Sequence, residues 1–178
     1  MYLPTVKKII KIIDRINEMV GKTVSWLTLI LVLVVCFEVV RRALFNTVSV
    51  WSFELQWHIF ALIFLLGSGY ALKYDRHVRV DLFYSKFSKR DKAWVNFFGS
   101  ILLLIPWLLV TIYFSFFYAM DAWYIGEGSP DPGGLPARYL IKFSVPFGLS
   151  LLLLQAISLT LSSLITLKKT AVETSFKQ

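Results

Sequence analysis

Charged residues are scarce in this chain of 178 residues: only 17% are Asp, Glu, Lys or Arg, whereas 57% are hydrophobic. Soluble domains usually contain about 25% charged and about 45–50% apolar residues. A single core in a chain this short could not bury so many apolar side chains. The composition therefore argues against an unaided soluble domain and indicates a protein embedded in a bilayer.

Cysteine and histidine are almost absent. Cys36 is the sole cysteine, so no intrachain disulfide can form. Two histidines, His58 and His77, are too few for a clustered zinc site or for the four axial ligands of a membrane dihaem. The sequence also lacks G-x-S-x-G, Walker A and glycine-rich dinucleotide motifs. We therefore predict that the chain is not an enzyme and that it holds no metal or cofactor.

Four long runs contain no Asp, Glu, Lys or Arg; they cover residues 23–37, 55–72, 93–120 and 143–167. A helix needs about 20 residues to cross a hydrocarbon core about 30 Å thick, so the first run must continue past Glu38. We predict an all-α integral membrane protein with four transmembrane helices and amphipathic interfacial helices on the cytoplasmic side. The single membrane domain, 1–178, is predicted to contain an amphipathic helix at 4–22, transmembrane helices at 23–46, 53–73, 92–120 and 139–167, an interfacial helix at 81–91, an external loop at 121–138 and a cytoplasmic tail at 168–178.

The distribution of Lys and Arg predicts the orientation. Residues 1–22, 73–92 and 168–178 together carry fifteen of them, and the opposite side carries Arg41, Arg42, Arg138 and Lys142. By the positive-inside rule, both termini and the middle loop lie in the cytoplasm. The same distribution accounts for the formal net charge of +8 without nucleic acid as a partner.

Two segments beside the spans have amphipathic patterns. Residues 4–22 place apolar and basic side chains on different helical faces, as expected of a helix along the cytoplasmic leaflet. A signal-peptide n-region is the alternative, but the segment is long and no clear A-x-A site follows it. In the middle loop, Asp81 can cap a short helix, and Ser88 with Asp91 forms an S-x-x-D capping signal before the third span. A solvated basic loop is the alternative there.

Glu54 and His58 form the most conspicuous polar pair, one turn apart near the outer end of the second span. Read functionally, they are part of a proton or ion relay. Read structurally, they are an interhelical hydrogen-bonding pair in which Glu54 reaches Arg41 or Arg42. We favour the structural interpretation, because one polar pair does not make a path through about 30 Å of hydrocarbon.

Glu38 precedes Arg41 and Arg42 by three and four positions, which predicts pairing on one helical face. The arginines could bind an anionic substrate or a lipid phosphate, but we favour a clamp between helices. His77 and Asp81 lie in a charged cytoplasmic stretch whose simplest interpretation is a surface for lipid headgroups. Phospholipids are therefore predicted partners.

Small residues and prolines mark further features of the spans and loops. Gly67 and Ala71 are predicted to allow close helix packing in the second span. Pro106 and Pro146 are predicted to kink the third and fourth helices. The external loop contains four glycines and three prolines, a composition that cannot continue a helix.

Residues 38–82 resemble the small membrane subunit (DctQ-like) of tripartite ATP-independent periplasmic (TRAP) transporters. The segment reads EVVRRALFNTVSVWSFELQWHIFALIFLLGSGYALKYDRHVRVDL. The residues that match the family pattern are Arg42, Phe45 and Asn46 at the end of the first span, Trp51 and Glu54 at the start of the second, Gly67 in its small-residue turn, and His77, Asp81 and Leu82 after it.

The resemblance implies an accessory scaffold subunit of a sodium-driven secondary transporter in the bacterial inner membrane. Its partners would be a large, elevator-type membrane subunit and a periplasmic binding protein that delivers an organic acid, such as a C4-dicarboxylate, a sialic acid or a related carboxylate. We expect the binding protein to dock near Trp123, Tyr124 and Asp131, because aromatic residues beside a rigid turn suit an interface. The alternative is an independent, homo-oligomeric transporter or ion-conducting protein, with Glu54 and His58 lining a path.

Overall fold

The computed structural model describes residues 3–74, 84 and 86–175, with side chains through residue 169. All regular structure in these ranges is helical, which confirms the predicted all-α fold. The helices are α1 (Leu3–Phe45), α2 (Val50–Lys73), α3 (Lys89–Tyr124, with a π-helical turn at Gly99–Leu104) and α4 (Tyr139–Ser175).

All four helices are long and apolar enough to cross a membrane, as the sequence predicts. The most apolar 18-residue stretches of α1 to α4 have mean hydropathies of 2.4, 1.5, 2.2 and 1.9. Helix α2 has the lowest value and begins with the polar side chains of Glu54 and His58. The chain is therefore a multi-pass membrane protein.

Helix α1 is continuous, so the predicted boundary between segments 4–22 and 23–46 is absent. No proline interrupts the sequence near that boundary, and Gly21 alone does not end the helix. With 43 residues, α1 is about 65 Å long, about twice the thickness of a hydrocarbon core. Its buried residues form one stripe that spans the boundary: Ile13, Asn17, Gly21 and Val24. Packing of this stripe against α2 and α4 keeps the two segments collinear.

Helix α3 begins where the capping motif predicts. Ser88 Oγ accepts a hydrogen bond from the backbone N–H of Asp91 (3.2 Å) and donates to its carboxylate (2.6 Å). Residues 81–83 and 85 of the predicted interfacial helix at 81–91, including Asp81, lie outside the described residues, whereas residues 86–88 are not helical and residues 89–91 are the first residues of α3. Farther along, the π-helical turn ends two residues before Pro106, which has no N–H to bond the carbonyl four residues earlier.

Helix α4 is the centre of the bundle and packs against α1, α2 and α3. In the most apolar 18-residue stretch of α4, 50% of the residues are buried inside the bundle. The corresponding shares are 6% for α1, 17% for α2 and 11% for α3. The main apolar cluster joins α4 to α2 and α3 through Leu72, Leu108, Leu152 and Ala156. Three of the four helices therefore leave most of their apolar surface uncovered by this chain.

Glycines allow the close approach of α2 and α4, but not at the predicted position. A Cβ atom at Gly67 would meet no atom within 4 Å, so the prediction that Gly67 allows close packing is wrong for the helices of this chain. A Cβ atom at Gly148 of α4, in contrast, would lie 2.7 Å from the backbone oxygen of Leu65 in α2. A Cβ atom added at Gly69 would likewise lie 2.9 Å from Cγ of Asn17 in α1. The spacing of small residues in the sequence did not predict which face of α2 contacts α1 and α4.

A polar network joins α1 to α4 at the basic end, which we define as the end containing residues 3–22, 70–74, 86–92 and 158–169. Asn17 Nδ2 donates to Gln155 Oε1 (3.0 Å), and Gln155 Nε2 donates to Asp14 Oδ1 (2.9 Å). Ser158 Oγ donates to the same Asp14 oxygen (2.8 Å). Beside the network, Lys73 Nζ bonds Glu18 Oε2 at 2.6 Å. These contacts fix the N-terminal part of α1 against the bundle.

Gln155→Leu should lower the free energy of unfolding by about 1 kcal/mol, the scale of interhelical hydrogen bonds in membrane proteins. The substitution removes the bridge between Asn17 and Asp14. Thermal unfolding of the purified protein in detergent measures the effect. Gln56→Leu is the matched control, since Gln56 is half-buried and makes no side-chain hydrogen bond among the described residues. Equal stabilities of the two variants would contradict a stabilising network.

Candidate functional site

The candidate site lies at the opposite end of the bundle, the loop end, which comprises residues 41–54 and 121–142. Here α1 turns into α2, and an irregular loop, residues 125–138, joins α3 to α4. Most residues singled out from the sequence fall at this end, and the structure shows how they are held.

Glu54 holds the long loop in place. Its side chain is in the first turns of α2 and is 5% exposed. The carboxylate accepts one hydrogen bond from Ser129 Oγ and one from the backbone N–H of Leu135, both at 2.6 Å. The expectation that Glu54 reaches Arg41 or Arg42 is therefore wrong. Its position on α2 directs it instead toward the loop between α3 and α4.

The loop folds tightly around this carboxylate. Ser129 N–H donates to the Leu135 carbonyl (3.1 Å), and Gly134 N–H donates to the Asp131 carbonyl (3.0 Å). A Cβ atom at Gly134 would lie 2.8 Å from Glu54 Oε2, so only glycine lets the backbone approach so closely. Hydrogen bonds within the loop and to Glu54 therefore hold it in a defined conformation.

His58 does not pair with the Glu54 carboxylate. Its Nδ1 lies 2.6 Å from the backbone carbonyl of Glu54, one turn earlier in α2. The imidazole ring packs on Trp57, with ring centroids 3.8 Å apart. The two residues thus bind different groups, and no described contact joins their side chains into a relay.

Glu38 links the end of α1 to the start of α2. Arg41 donates to both of its carboxylate oxygens, from Nε at 3.3 Å and from Nη2 at 3.2 Å. The backbone N–H of Ser49 donates to Glu38 Oε1 at 3.2 Å. Arg42 is exposed and is in no ion pair among the described residues. Of the two arginines, Arg41 therefore serves as the clamp.

Asn46 and Trp51 border the short turn between α1 and α2. Asn46 has a positive φ of 50°, and its N–H donates to the Arg42 carbonyl (3.0 Å). Asparagine tolerates this left-handed conformation better than most residues, which explains its place after the last turn of α1. Trp51 is 44% exposed at the start of α2. His77 and Asp81, the other residues of the pattern, lie outside the described residues.

The proposed docking residues lie together at the loop end. Tyr124 is 75% exposed, and Asp131 is exposed at the loop tip. Trp123 is also partly exposed, but its ring packs edge-on against Tyr139 at 4.9 Å and thereby anchors the end of α3 to α4. Tyr124 is therefore the aromatic side chain at this end that is freest to meet another molecule.

A second charged group at this end, formed around Lys142, was not predicted from the sequence as part of a site. Lys142 forms a very short ion pair with Glu127, and its Nζ lies 4.0 Å from the centroid of the Tyr118 ring. Arg138 lies over the Trp57 ring at 5.3 Å. Arg138, directly before α4, and Lys142, in its first turn, are four residues apart, a spacing that could have signalled a shared site. These side chains line a cavity of about 420 Å³, the loop-end pocket.

Large apolar side chains cover the outer faces of α1, α2 and α3. The most exposed ones include Trp26, Leu33, Phe37, Val39, Leu44 and Phe45 in α1, Phe53, Phe60 and Phe64 in α2, and Leu102, Leu103, Trp107 and Phe114 in α3. Apolar surface of this extent marks contact with lipid or with another protein.

A family model described as tripartite ATP-independent periplasmic transporters, DctQ component, matches residues 31–166, or 136 of the 178 residues. The match contains α2, α3 and most of the apolar part of α1 and α4. No curated protein matches the chain.

Proposed function

Because the chain belongs to the DctQ component family of TRAP transporters, we propose that it is the accessory scaffold subunit of a sodium-driven secondary transporter in the bacterial inner membrane. The large, elevator-type membrane subunit would be its partner and would carry the substrate. A periplasmic binding protein would deliver an organic acid, such as a C4-dicarboxylate, a sialic acid or a related carboxylate. Nucleic acid has no part in this role, and the chain itself would perform no catalysis.

The observation that carries the proposal is the uneven burial of the four helices. Only α4 is covered by its neighbours, whereas α1, α2 and α3 turn broad apolar faces outward. Such faces suit attachment to a second membrane protein, with lipid covering the remainder. A scaffold needs surface of this kind, and a self-contained carrier needs an internal path instead.

The polar groups of α4 support a scaffold rather than a path. Ser144 Oγ donates to the Ile141 carbonyl (2.6 Å), Ser150 Oγ to the Pro146 carbonyl (2.7 Å) and Thr160 Oγ1 to the Ala156 carbonyl (2.8 Å). These hydroxyls bond their own helix backbone, so their hydrogens are not free for a passing anion. Gln155 is likewise engaged, by Asn17 and Asp14.

We also propose that both termini lie in the cytoplasm and that the loop end faces the periplasm. Fifteen Lys and Arg residues in the terminal segments and middle loop, against four at the loop end, support this orientation. The binding protein would then meet the loop that Glu54 holds. The phospholipids of the cytoplasmic leaflet would meet the basic end.

Reconstitution tests the division of labour. Proteoliposomes containing this chain, the large subunit and the binding protein should take up the organic acid when a sodium gradient is imposed. Proteoliposomes with this chain alone should show no flux, since the large subunit holds the transport path. Flux through the chain alone, abolished by Glu54→Gln, would overturn the scaffold proposal in favour of an independent transporter.

Tyr124→Ala should weaken docking of the binding protein by about tenfold, as expected when an exposed aromatic anchor is truncated. Tyr124 is suited to this test because it is 75% exposed and makes no ring contact among the described residues. Binding-protein affinity for the reconstituted complex is the measurement. Copurification of the large subunit is the internal control and should not change. Unaltered affinity, with Trp123 and Asp131 variants also unaltered, would make the loop only a connector.

A further inference from the structure

The loop-end pocket has a lining that neither scaffolding nor docking of the binding protein explains. It opens among α2, α3 and α4, and its walls change character along its depth. Near the loop end it is lined by Trp57, Tyr118, Glu127, Arg138 and Lys142. Deeper in the bundle it is lined by Ala61, Leu65, Val145 and Ser144, whose hydroxyl donates to its own helix backbone. Leu65 lies eight residues beyond Trp57 on one face of α2, so the apolar wall extends about 12 Å toward the middle of the span.

One cation in the pocket, Arg138, has hydrogen-bond donors that no described residue accepts. Lys142 is neutralised by Glu127 and lies against Tyr118. Arg138 lies over Trp57, and its guanidinium makes no hydrogen bond to another described residue. The Glu54 carboxylate attracts Arg138 electrostatically, but its hydrogen bonds come from Ser129 and Leu135. Among the described residues, the donors of Arg138 therefore remain for a ligand from outside the chain.

We propose that the pocket binds one phospholipid of the leaflet at the loop end. The Arg138 guanidinium donates hydrogen bonds to the phosphate, an oxygen group that suits its planar fork. One acyl chain lies along Ala61, Leu65 and Val145, where an apolar groove would otherwise face the bilayer. The polar-to-apolar order of the walls matches the order of headgroup and acyl chain in a lipid.

The scarcity of basic residues at this end strengthens the assignment. The loop end has only four Lys and Arg residues, and two of them, Arg138 and Lys142, line this one pocket. A general attraction for anionic membrane surfaces would place many cations on exposed faces, as at the basic end. Because Lys142 is paired with Glu127, Arg138 alone offers free hydrogen-bond donors at the apolar groove, which favours one bound lipid.

Lipid titration tests the proposal on the protein purified from membranes with the partner that copurifies. After delipidation, phosphatidylglycerol or phosphatidylethanolamine is added, and native mass spectrometry measures the fraction that carries lipid. Arg138→Gln and Ala61→Phe should each weaken retention about tenfold, the first by removing the phosphate ligand and the second by filling the groove. Arg138→Lys should retain lipid better than Arg138→Gln. The control, Arg90→Gln, removes an exposed arginine at the other end and should behave like the wild type.

The two lipids distinguish the headgroup preference, because both contain the phosphate but only phosphatidylglycerol has a net negative charge. Wild-type retention in both Arg138→Gln and Ala61→Phe would overturn the proposal. Loss in Arg138→Gln alone, with displacement of lipid by inorganic phosphate, would identify a free-anion site and also overturn it. Photo-crosslinking from position 61 to the large subunit instead of lipid would show that a protein partner occupies the groove, and this result would also overturn the proposal. Where Ala61→Phe unfolds early, Ala61→Leu replaces it.

Discussion

Glu54→Gln should reduce binding-protein-dependent uptake by about tenfold or more. The Glu54 carboxylate accepts hydrogen bonds from both Ser129 and Leu135 at 2.6 Å, in a site that is 5% exposed. A glutamine amide can offer its oxygen to only one of these donors, and its NH₂ group then opposes the other. Loss of one charge-assisted bond with a buried donor unsatisfied costs about 1–3 kcal/mol. That cost should release the loop from the conformation that presents Asp131 beside Tyr124, the last residue of α3.

Two measurements separate this effect from general damage. Hydrogen exchange should become faster in residues 129–135 and stay unchanged in α4. Uptake in proteoliposomes should fall while the amount of assembled complex stays constant. Asp121→Asn is the matched control, since Asp121 is an exposed acid at the end of α3 and its side chain makes no hydrogen bond among the described residues. Normal exchange in the loop of Glu54→Gln would refute the role of Glu54 in positioning it.

Gly148→Ala should lower the free energy of unfolding by about 1–3 kcal/mol, the usual cost of an overpacked contact. An added Cβ would lie 2.7 Å from the Leu65 carbonyl oxygen and 2.8 Å from its carbon. Because these are backbone atoms, no side-chain rotation relieves the clash, and α2 and α4 must move apart. The central helix would then lose contacts along the face on which the bundle depends.

Gly67→Ala provides a control of identical chemistry. Its Cβ would meet no atom within 4 Å, and alanine is favoured over glycine in a helix by about 1 kcal/mol. The melting temperature of the purified protein in detergent should therefore fall for Gly148→Ala and stay level or rise for Gly67→Ala. A fall of similar size in both variants would mean that the contact between Gly148 and Leu65 does not limit stability.

Local contacts were the part of the site that could be predicted. The spacing of Glu38 and Arg41 indicated an ion pair because residues three apart share a helical face, and the structure contains that pair. The Ser88 cap was predictable for the same reason, since its partner Asp91 is three residues away. In both cases the backbone conformation of one helix is enough to bring the groups together.

Contacts between distant segments were not predictable from pattern. Glu54 is 75 residues from Ser129, and Asp14 is 141 residues from Gln155. Which helix faces meet depends on the rotation and crossing of whole helices, and single-sequence periodicity does not contain this information. The error over Gly67 has the same origin: Gly67 and Gly69 lie in one helix, but only Gly69 points toward Asn17.

The sequence by itself determined that this is a membrane protein with four spanning helices, because transfer of apolar side chains from water depends on composition and run length alone. It also determined the family, because both the ordered motif and the family match over residues 31–166 depend on the amino-acid sequence alone. Only the tertiary structure decided that α4 is the central helix, that Glu54 holds the loop end and that Arg138 lies at the mouth of an apolar groove. These features arise from how rigid helices pack side by side, which brings together residues that are far apart in the chain.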